Sequence, residues 1–268
     1  MKIDYKETSN DLLKRIEIHK NFGTKDIDKW MLDLLKLKSG TEILDIGCGS
    51  GKQCFLFYDC LNGDCQIVGA DVSDELLEKA RQENRARNSK IEFINLDFNK
   101  EFPMQSNSFD LVTCCFAIYY AANASFTINE MFKVLKPSGR LFVTGPLPDN
   151  KKVFYDIIRK ATSKDIPPMP GSSRFGTEIL DTIKKIFEKT EMHRFENPLI
   201  FNEVEPFLEY TKASLSEDRK LWSKIFIDER FDSIMDRIAE AATEKIGKDG
   251  RIVMTKVVGG FIAYKPEV

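Results

Sequence analysis

Apolar residues recur at helical spacing from the start of the chain: Leu12, Leu13 and Ile16 within residues 9–20, then Ile27, Trp30, Met31, Leu34 and Leu35 within residues 26–37. Recurrence every three or four positions predicts two helices joined at Asn21-Phe22-Gly23. A short apolar run from Glu42 to Ile46 stops abruptly in the GCGSG of residues 47–51, and Lys52 to Leu61 is again helical in pattern. This unit of strand, turn and helix then repeats. Gln66 to Ala70 is a predicted strand, Ser73 to Arg87 a helix with Ser73 as N-cap and an end near Asn88, and Ile91 to Leu96 a third strand. Phe109 to Cys115 is the fourth, followed by a helix from Phe126 to Leu135, a turn at Lys136-Pro-Ser-Gly139 and a fifth strand from Arg140 to Thr144. Strands alternating with helices imply an α/β protein with a mostly parallel sheet covered by helices on both faces. Such sheets bind ligands outside the carboxyl ends of their strands.

Past Pro146 the pattern loosens. Helices are expected from about Lys152 to Ser163 and from about Glu178 to Thr190, either side of a break at Pro167-Pro-Met-Pro-Gly171. Residues 192–201 and 252–264 read as two further strands, and residues 203–250 between them carry an amphipathic helical pattern that includes Phe231, Ile234, Met235, Ile238 and Ala242. With no repeat and no low-complexity stretch, that insertion is expected to be a helical cap between the last two strands of a single domain, 1–268, rather than a separate unit.

The composition suits one elaborated globular domain: 268 residues, 42% hydrophobic and 31% charged, with 40 basic against 42 acidic side chains. Near-neutral and interspersed charge supplies no field to draw in nucleic acid or an anionic membrane, so a small-molecule partner is expected, with the choice between monomer and dimer left open. The N-terminus is charged where a secretory signal would be apolar, and no apolar run is long enough to span a bilayer; both predict a cytoplasmic protein with no membrane association. Six cysteines form no CxxC pair, which favours free thiols over a metal site or disulfides.

The glycine turn carries the chemistry. Closely spaced glycines after a strand let backbone amides approach a ligand where a Cβ would block it. A phosphate-binding P-loop needs GxxxxGK followed by Ser or Thr, but Lys52 follows GCGSG and is itself followed by Gln53, leaving no hydroxyl for magnesium. A dinucleotide fingerprint needs GxGxxG or GxGxxA, and the third position is Lys52 or Cys54 according to where the count begins.

ILDIGCGSGK instead resembles the first motif of class I S-adenosylmethionine-dependent methyltransferases, an acidic residue ahead of GxGxG. VGADVS, INLDFN, EFPMQSNSFDLVTCCFAIYY and KVLKPSGRLFVTGP resemble that family's later strand ends, in order, over about residues 40 to 146. The resemblance implies a Rossmann-like fold of seven strands, the last antiparallel, and S-adenosyl-L-methionine as cofactor with S-adenosyl-L-homocysteine as product. It also implies site residues. Asp45, with the backbone of Gly47, Cys48, Gly49 and Gly51 and the neighbouring Gln53, faces the amino-acid end of the cofactor. Asp71, beside Val72, accepts the ribose hydroxyls; Asp97 receives the adenine amino group while Phe98 lies against the ring. Phe116 and Ile118 wall the sulfonium, and the N-terminal helices 1–37 cover the cofactor.

Catalytic candidates are Tyr119 and Tyr120, positioned to orient an acceptor, and His19 as a base; packing in the core and a solvated helix end are the competing readings for these residues. An acceptor needs only to be held in line, roughly 3 to 3.5 Å from the methyl group, so few catalytic side chains are expected. CCFAIYY lacks the Asn- or Asp-Pro-Pro-aromatic motif of amino-group methylases, and neither Cys114 nor Cys115 follows a proline as in cytosine-ring methylases. A small-molecule acceptor is therefore favoured, with tRNA or protein methylation as the alternative and a nicotinamide-binding Rossmann protein behind it.

Overall fold

A computed structural model describes residues 9–167, 170–225 and 231–267 of the chain. Its elements in order are α1 (Ser9–Phe22), α2 (Ile27–Leu35), β1 (Thr41–Ile46), α3 (Lys52–Cys60), β2 (Cys65–Asp71), α4 (Asp74–Arg87), β3 (Glu92–Asn95), β4 (Phe109–Cys115), α5 (Ala124–Val134) and β5 (Leu135–Pro146). They continue with α6 (Lys152–Thr162), α7 (Pro170–Arg174), α8 (Leu180–Ile186), β6 (Lys189–Phe201), α9 (Val204–Ile225), α10 (Phe231–Asp249) and β7 (Ile252–Tyr264).

One seven-stranded sheet runs in the order β3-β2-β1-β4-β5-β7-β6. β1 to β5 pair in parallel, and β7 pairs antiparallel with both β5 and β6. The order reverses between β1 and β4, which opens the crevice where ligands of such sheets sit. One face is covered through Ile128, Met131, Phe175, Ile179 and Ile183. Met31, Cys54, Phe57, Leu77 and Ala80 cover the other. Both faces of the central strands are apolar for that reason: β4 buries five of its last five residues, and only Thr113 among them is polar apart from two cysteines.

β6 and β7 are 13 residues long and overshoot the parallel strands, because the last pair between β5 and β7 is Pro146↔Val258. The overshoot carries Leu199, Phe201, Ile252 and Met254, which build a third core with α1, α6, α9 and α10 through Ile18, Phe154, Ile158, Phe207, Tyr210, Ile234 and Ile238. Each such buried side chain contributes roughly 1.5 to 3 kcal/mol. The helices between the last two strands are thus fastened to the ligand end of the sheet.

Local rules explain the clean boundaries. Ser73 accepts from Leu76 N at 3.3 Å to cap α4, and Asn88 closes it in a left-handed conformation, φ 53°. Three expectations need correction. The helix expected from Glu178 to Thr190 begins at Pro170, runs through a π-turn at Phe175–Ile179 and ends at Ile186; Lys189 and Thr190 are recruited into β6 by pairing with Tyr264 and Ala263. β5 starts at Leu135, with Lys136 to Gly139 held as an irregularity between the pairs Phe109↔Leu135 and Leu111↔Arg140. Ile16 is 41% exposed and Ile18 is the buried residue of α1, while the side chains of Leu12 and Leu13 lie outside the described residues. Phe231, at the first turn of α10, is also exposed.

Candidate active site

The loop after β1 is built as a backbone cradle. Gly47 N and Cys48 N both donate to Ala70 O, at 2.7 and 3.0 Å, tying the loop to the end of β2. Gly47, Gly49 and Gly51 have φ of 70°, 55° and 83°, in the left-handed region that favours glycine. A Cβ on Gly47 would lie 2.5 Å from Ala117 Cβ, and one on Gly51 2.9 Å from the Phe55 ring. The first contact shows how near the loop passes to the segment after β4. That segment is itself unusual: Phe116 holds φ 57°, rare for an aromatic residue, with its N–H donating to Thr144 O at 2.9 Å.

Asp71, half-buried at the end of β2, accepts from Gly49 N at 2.8 Å and from Ser73 N at 2.9 Å. One backbone contact per oxygen leaves acceptor capacity on each for a ligand hydroxyl. Val72 beside it is 64% exposed, an apolar surface at the mouth of the crevice. Phe98 is half-buried, its ring 3.9 Å from where a Cβ on Gly47 would stand, and Asp97 is turned into a local cap, its Oδ1 accepting from Asn99 N at 3.0 Å and Asn99 Nδ2 at 2.9 Å. Gln53 is half-buried on the first turn of α3.

Asp45 lies beneath the loop rather than on its surface. Its carboxylate is 1% exposed; Oδ1 accepts from the Thr113 hydroxyl at 2.6 Å and Oδ2 from the Cys54 thiol at 3.4 Å. Burial raises its pKa to about 6, against the pull of those two donors. Thr113 and Cys54 are contributions that the pattern of the sequence did not single out; a threonine inside the buried run LVTCC was the available signal. Burial pushes the thiols of Cys114 and Cys115 up, so both stay protonated.

The three catalytic candidates fall in different places. Tyr119 is 8% exposed, its ring 6.4 Å edge-on from Phe175 and close enough to Gly171 that a Cβ there would meet it at 2.9 Å. Tyr120 is half-buried, its ring centroid 4.6 Å from that of Tyr119. Arg174 braces the segment, donating to Tyr119 O at 3.0 Å and also to Ala121 O. Ile118 is fully buried in the core. His19 lies on α1 against α9, with its ring 5.8 Å from that of Tyr210. α1 packs on α9 and β6, whereas α2 reaches the loop, where Asp28 pairs with Lys52 at 2.8 Å. Because only Tyr120 keeps an accessible face, Tyr120→Phe should lower turnover with cofactor affinity unchanged, and Tyr119→Phe should lower the thermal midpoint; equal turnover in both variants and wild type would reduce the pair to packing.

A seven-stranded sheet of this order, with a glycine cradle at the end of β1 and a carboxylate at the end of β2, defines a Rossmann-like methyltransferase fold. Residues 37–193 match the family model of the methyltransferase domain, and the chain belongs to that family, as a class I S-adenosylmethionine-dependent methyltransferase. It is 29% identical over 170 residues to the ubiquinone/menaquinone biosynthesis C-methyltransferase UbiE of Pseudomonas putida, covering 62% of this chain and 64% of that protein. The demethylmenaquinone methyltransferase of Thermus thermophilus is 30% identical over 147 residues, covering 54% of this chain and 66% of that protein. The chain thus spans a little under two thirds of the length of these relatives. Among solved structures, the phosphoethanolamine N-methyltransferase 2 of Haemonchus contortus in complex with S-adenosyl-L-methionine shares the fold, with a TM-score of 0.56 and 16% identity over 97% of this chain and 57% of that one.

Proposed function

We propose that this protein transfers a methyl group from S-adenosyl-L-methionine to a small organic acceptor and releases S-adenosyl-L-homocysteine. The observation that carries the reading is the cradle itself: a backbone loop kept open by three left-handed glycines, a carboxylate with spare acceptor capacity at the next strand end, and an exposed valine beside it. Those groups fit a ligand with an amino-acid tail, a ribose and a flat base. The bound cofactor supplies the electrophilic methyl group on its sulfonium. The chain's residues then have simple tasks. Asp71 binds the ribose hydroxyls; Val72 and Phe98 sandwich the base and Asp97 receives its amino group; Asp45 fixes the loop and adds negative charge below the amino-acid end. Phe116 excludes water beside the sulfonium and Tyr120 orients the acceptor.

The single-domain reading, with α9 and α10 as a cap between the last two strands, is supported by the third core at the carboxyl end of the sheet, which they share with α1 and α6. A small organic acceptor is supported by the two curated relatives, whose names place them in quinone methylation. Among the described residues no helix is long and apolar enough to cross a membrane. The free cysteines favour a reducing compartment, which we take to be the cytoplasm.

Calorimetric titration tests the cofactor without knowledge of the acceptor. S-adenosylmethionine and S-adenosylhomocysteine should bind in the micromolar range and NADH should not. Asp71→Ala should weaken both by ~1 to 3 kcal/mol, since the ribose loses a charged acceptor and Gly49 N its anchor. Binding of NADH alone, or full affinity in folded Asp71→Ala, would remove the reading.

A further inference from the structure

A second group of chemistry-bearing side chains stands apart from the cradle, inside the cap. Tyr210 of α9 is 1% exposed and Lys151, just before α6, is 2% exposed. Lys256 of β7 donates to the Tyr210 hydroxyl at 3.3 Å. Lys151 Nζ lies 5.0, 5.8 and 5.7 Å from the ring centroids of Phe154, Tyr155 and Tyr210. His19 of α1 faces the same Tyr210 ring, and its Nε2 is buried with no hydrogen-bond partner among the described residues.

Two groups report the local potential. Burial holds the His19 imidazole well below its usual pKa, and Lys256, Arg15, Lys151 and Lys52 push it further in the same direction, so the ring is neutral. For the Tyr210 phenol burial acts upward, yet Lys151, Lys256 and Arg15 outweigh it and bring the hydroxyl down to about 8. The Tyr210 shift agrees with the positive charge of Lys151 and Lys256 around it, in a place shielded from water where such a field is strong.

The backbone is arranged to put it there. Lys151 adopts φ 62°, and its N–H donates to Thr255 O at 3.1 Å while Asn150 Oδ1 accepts from Val257 N at 3.0 Å. A lysine in a left-handed turn, pinned to a strand and buried among three rings, is a strained arrangement of the kind found at binding sites. Its location agrees. Lys256 lies two residues beyond Val258, the last partner of β5, so the group stands past the carboxyl edge of the sheet.

We propose that Lys151, Lys256 and the Tyr210 hydroxyl receive an anionic group of the methyl acceptor, a carboxylate or a phosphate, with the unpartnered nitrogen of His19 completing the site. The assignment rests on the methyltransferase reading and gives it a substrate class: a small organic anion, not a neutral or cationic molecule. The two ammonium groups supply attraction, and the neutral imidazole and the phenol supply direction.

Protein saturated with S-adenosylhomocysteine is titrated with benzoate, inorganic phosphate, benzamide and benzylamine, with heat and near-ultraviolet phenolate absorbance followed together. Benzoate or phosphate should bind about tenfold or more tightly than benzamide and benzylamine, and should raise the pH at which Tyr210 ionises, since a bound anion cancels the field acting on it. Benzoate alone indicates a carboxylate acceptor, and phosphate alone a phosphorylated one. Lys256→Gln should lose about tenfold in anion affinity and Lys256→Arg should keep it, both retaining affinity for S-adenosylhomocysteine; Lys151→Met supplies the same test if Lys256→Gln does not fold. Benzamide binding as well as benzoate, anion affinity unchanged in the variants, or a Tyr210 ionisation that no anion moves would each overturn the proposal. Failure to bind S-adenosylhomocysteine would instead strike the cofactor reading, and the anion titrations on the free protein would still decide this one.

Discussion

Gly47→Ala should lower affinity for S-adenosylhomocysteine by about a hundredfold or more, equivalent to roughly 2.7 kcal/mol, in a protein that still folds. Two effects add. Alanine at φ 70° carries the left-handed penalty of roughly 1 kcal/mol, and its Cβ would stand 2.5 Å from Ala117 Cβ, a contact that no side-chain rotation relieves. The loop base is pinned by Gly47 N and Cys48 N on Ala70 O, so relief has to come from moving either the cradle amides or the segment that carries Phe116. Either movement separates groups the cofactor needs together. Gly40 is the control: its φ is 77°, but a Cβ there meets nothing within 4 Å. Gly40→Ala should therefore show only the backbone penalty, as a lower thermal midpoint with binding intact. Equal cofactor affinity in the two variants would mean that the approach to Ala117 has no part in forming the site.

The features legible in the sequence were those set by short-range chemistry. A strand of apolar residues that must be buried on both faces, a glycine turn that needs left-handed backbone and a Ser–Asn pair capping α4 each leave a local signature, and β1 to β4, α3 and α4 fall within a residue or two of their expected bounds. The same holds for the cradle, because Gly47, Gly49 and Gly51 follow β1 in one motif and Asp71 closes β2 in the next. Long-range pairing left no such mark. Lys189 and Thr190 read as the end of a helix because their partners, Tyr264 and Ala263, lie more than seventy residues away.

The cap shows the same limit at the level of chemistry. Lys151 sits in an ordinary polar turn of the sequence, Tyr210 in one helical pattern and Lys256 in a strand, and nothing local distinguishes them from solvated residues. Only the overshoot of β6 and β7 past β5 brings them to one place with His19. His19, a candidate on its position in the N-terminal helix, lies beside Tyr210, where burial first and the nearby cations after it keep the ring neutral. Asp45 likewise carries the expected residue type in an unexpected posture, since its partners Thr113 and Cys54 come from strand β4 and helix α3.

That posture makes Asp45→Asn a test in which stability and binding should move in opposite directions. Burial raises the Asp45 carboxyl from 3.8 to about 6 in the folded chain. The folded state therefore holds a proton that the unfolded state has already released: the stability this group contributes is fully present below about pH 4 and is lost as pH rises to about 6. Above that point an ionised, buried carboxylate costs on the order of 3 kcal/mol relative to its neutral form. Asparagine never ionises, and its carbonyl can still accept from Thr113, although the contact with the Cys54 thiol is weakened. The ligand-free variant should thus match wild type near pH 4 and melt several degrees higher at pH 8, at roughly 2 to 4 °C per kcal/mol for a domain of this size. With S-adenosylhomocysteine added the order should reverse, because a buried negative charge below the amino-acid end of the ligand favours its ammonium and asparagine does not. A variant whose ligand-free midpoint shows the wild-type pH dependence would dispose of the buried-charge account. One that gains stability and keeps full cofactor affinity would leave Asp45 as an anchor for the loop and nothing more.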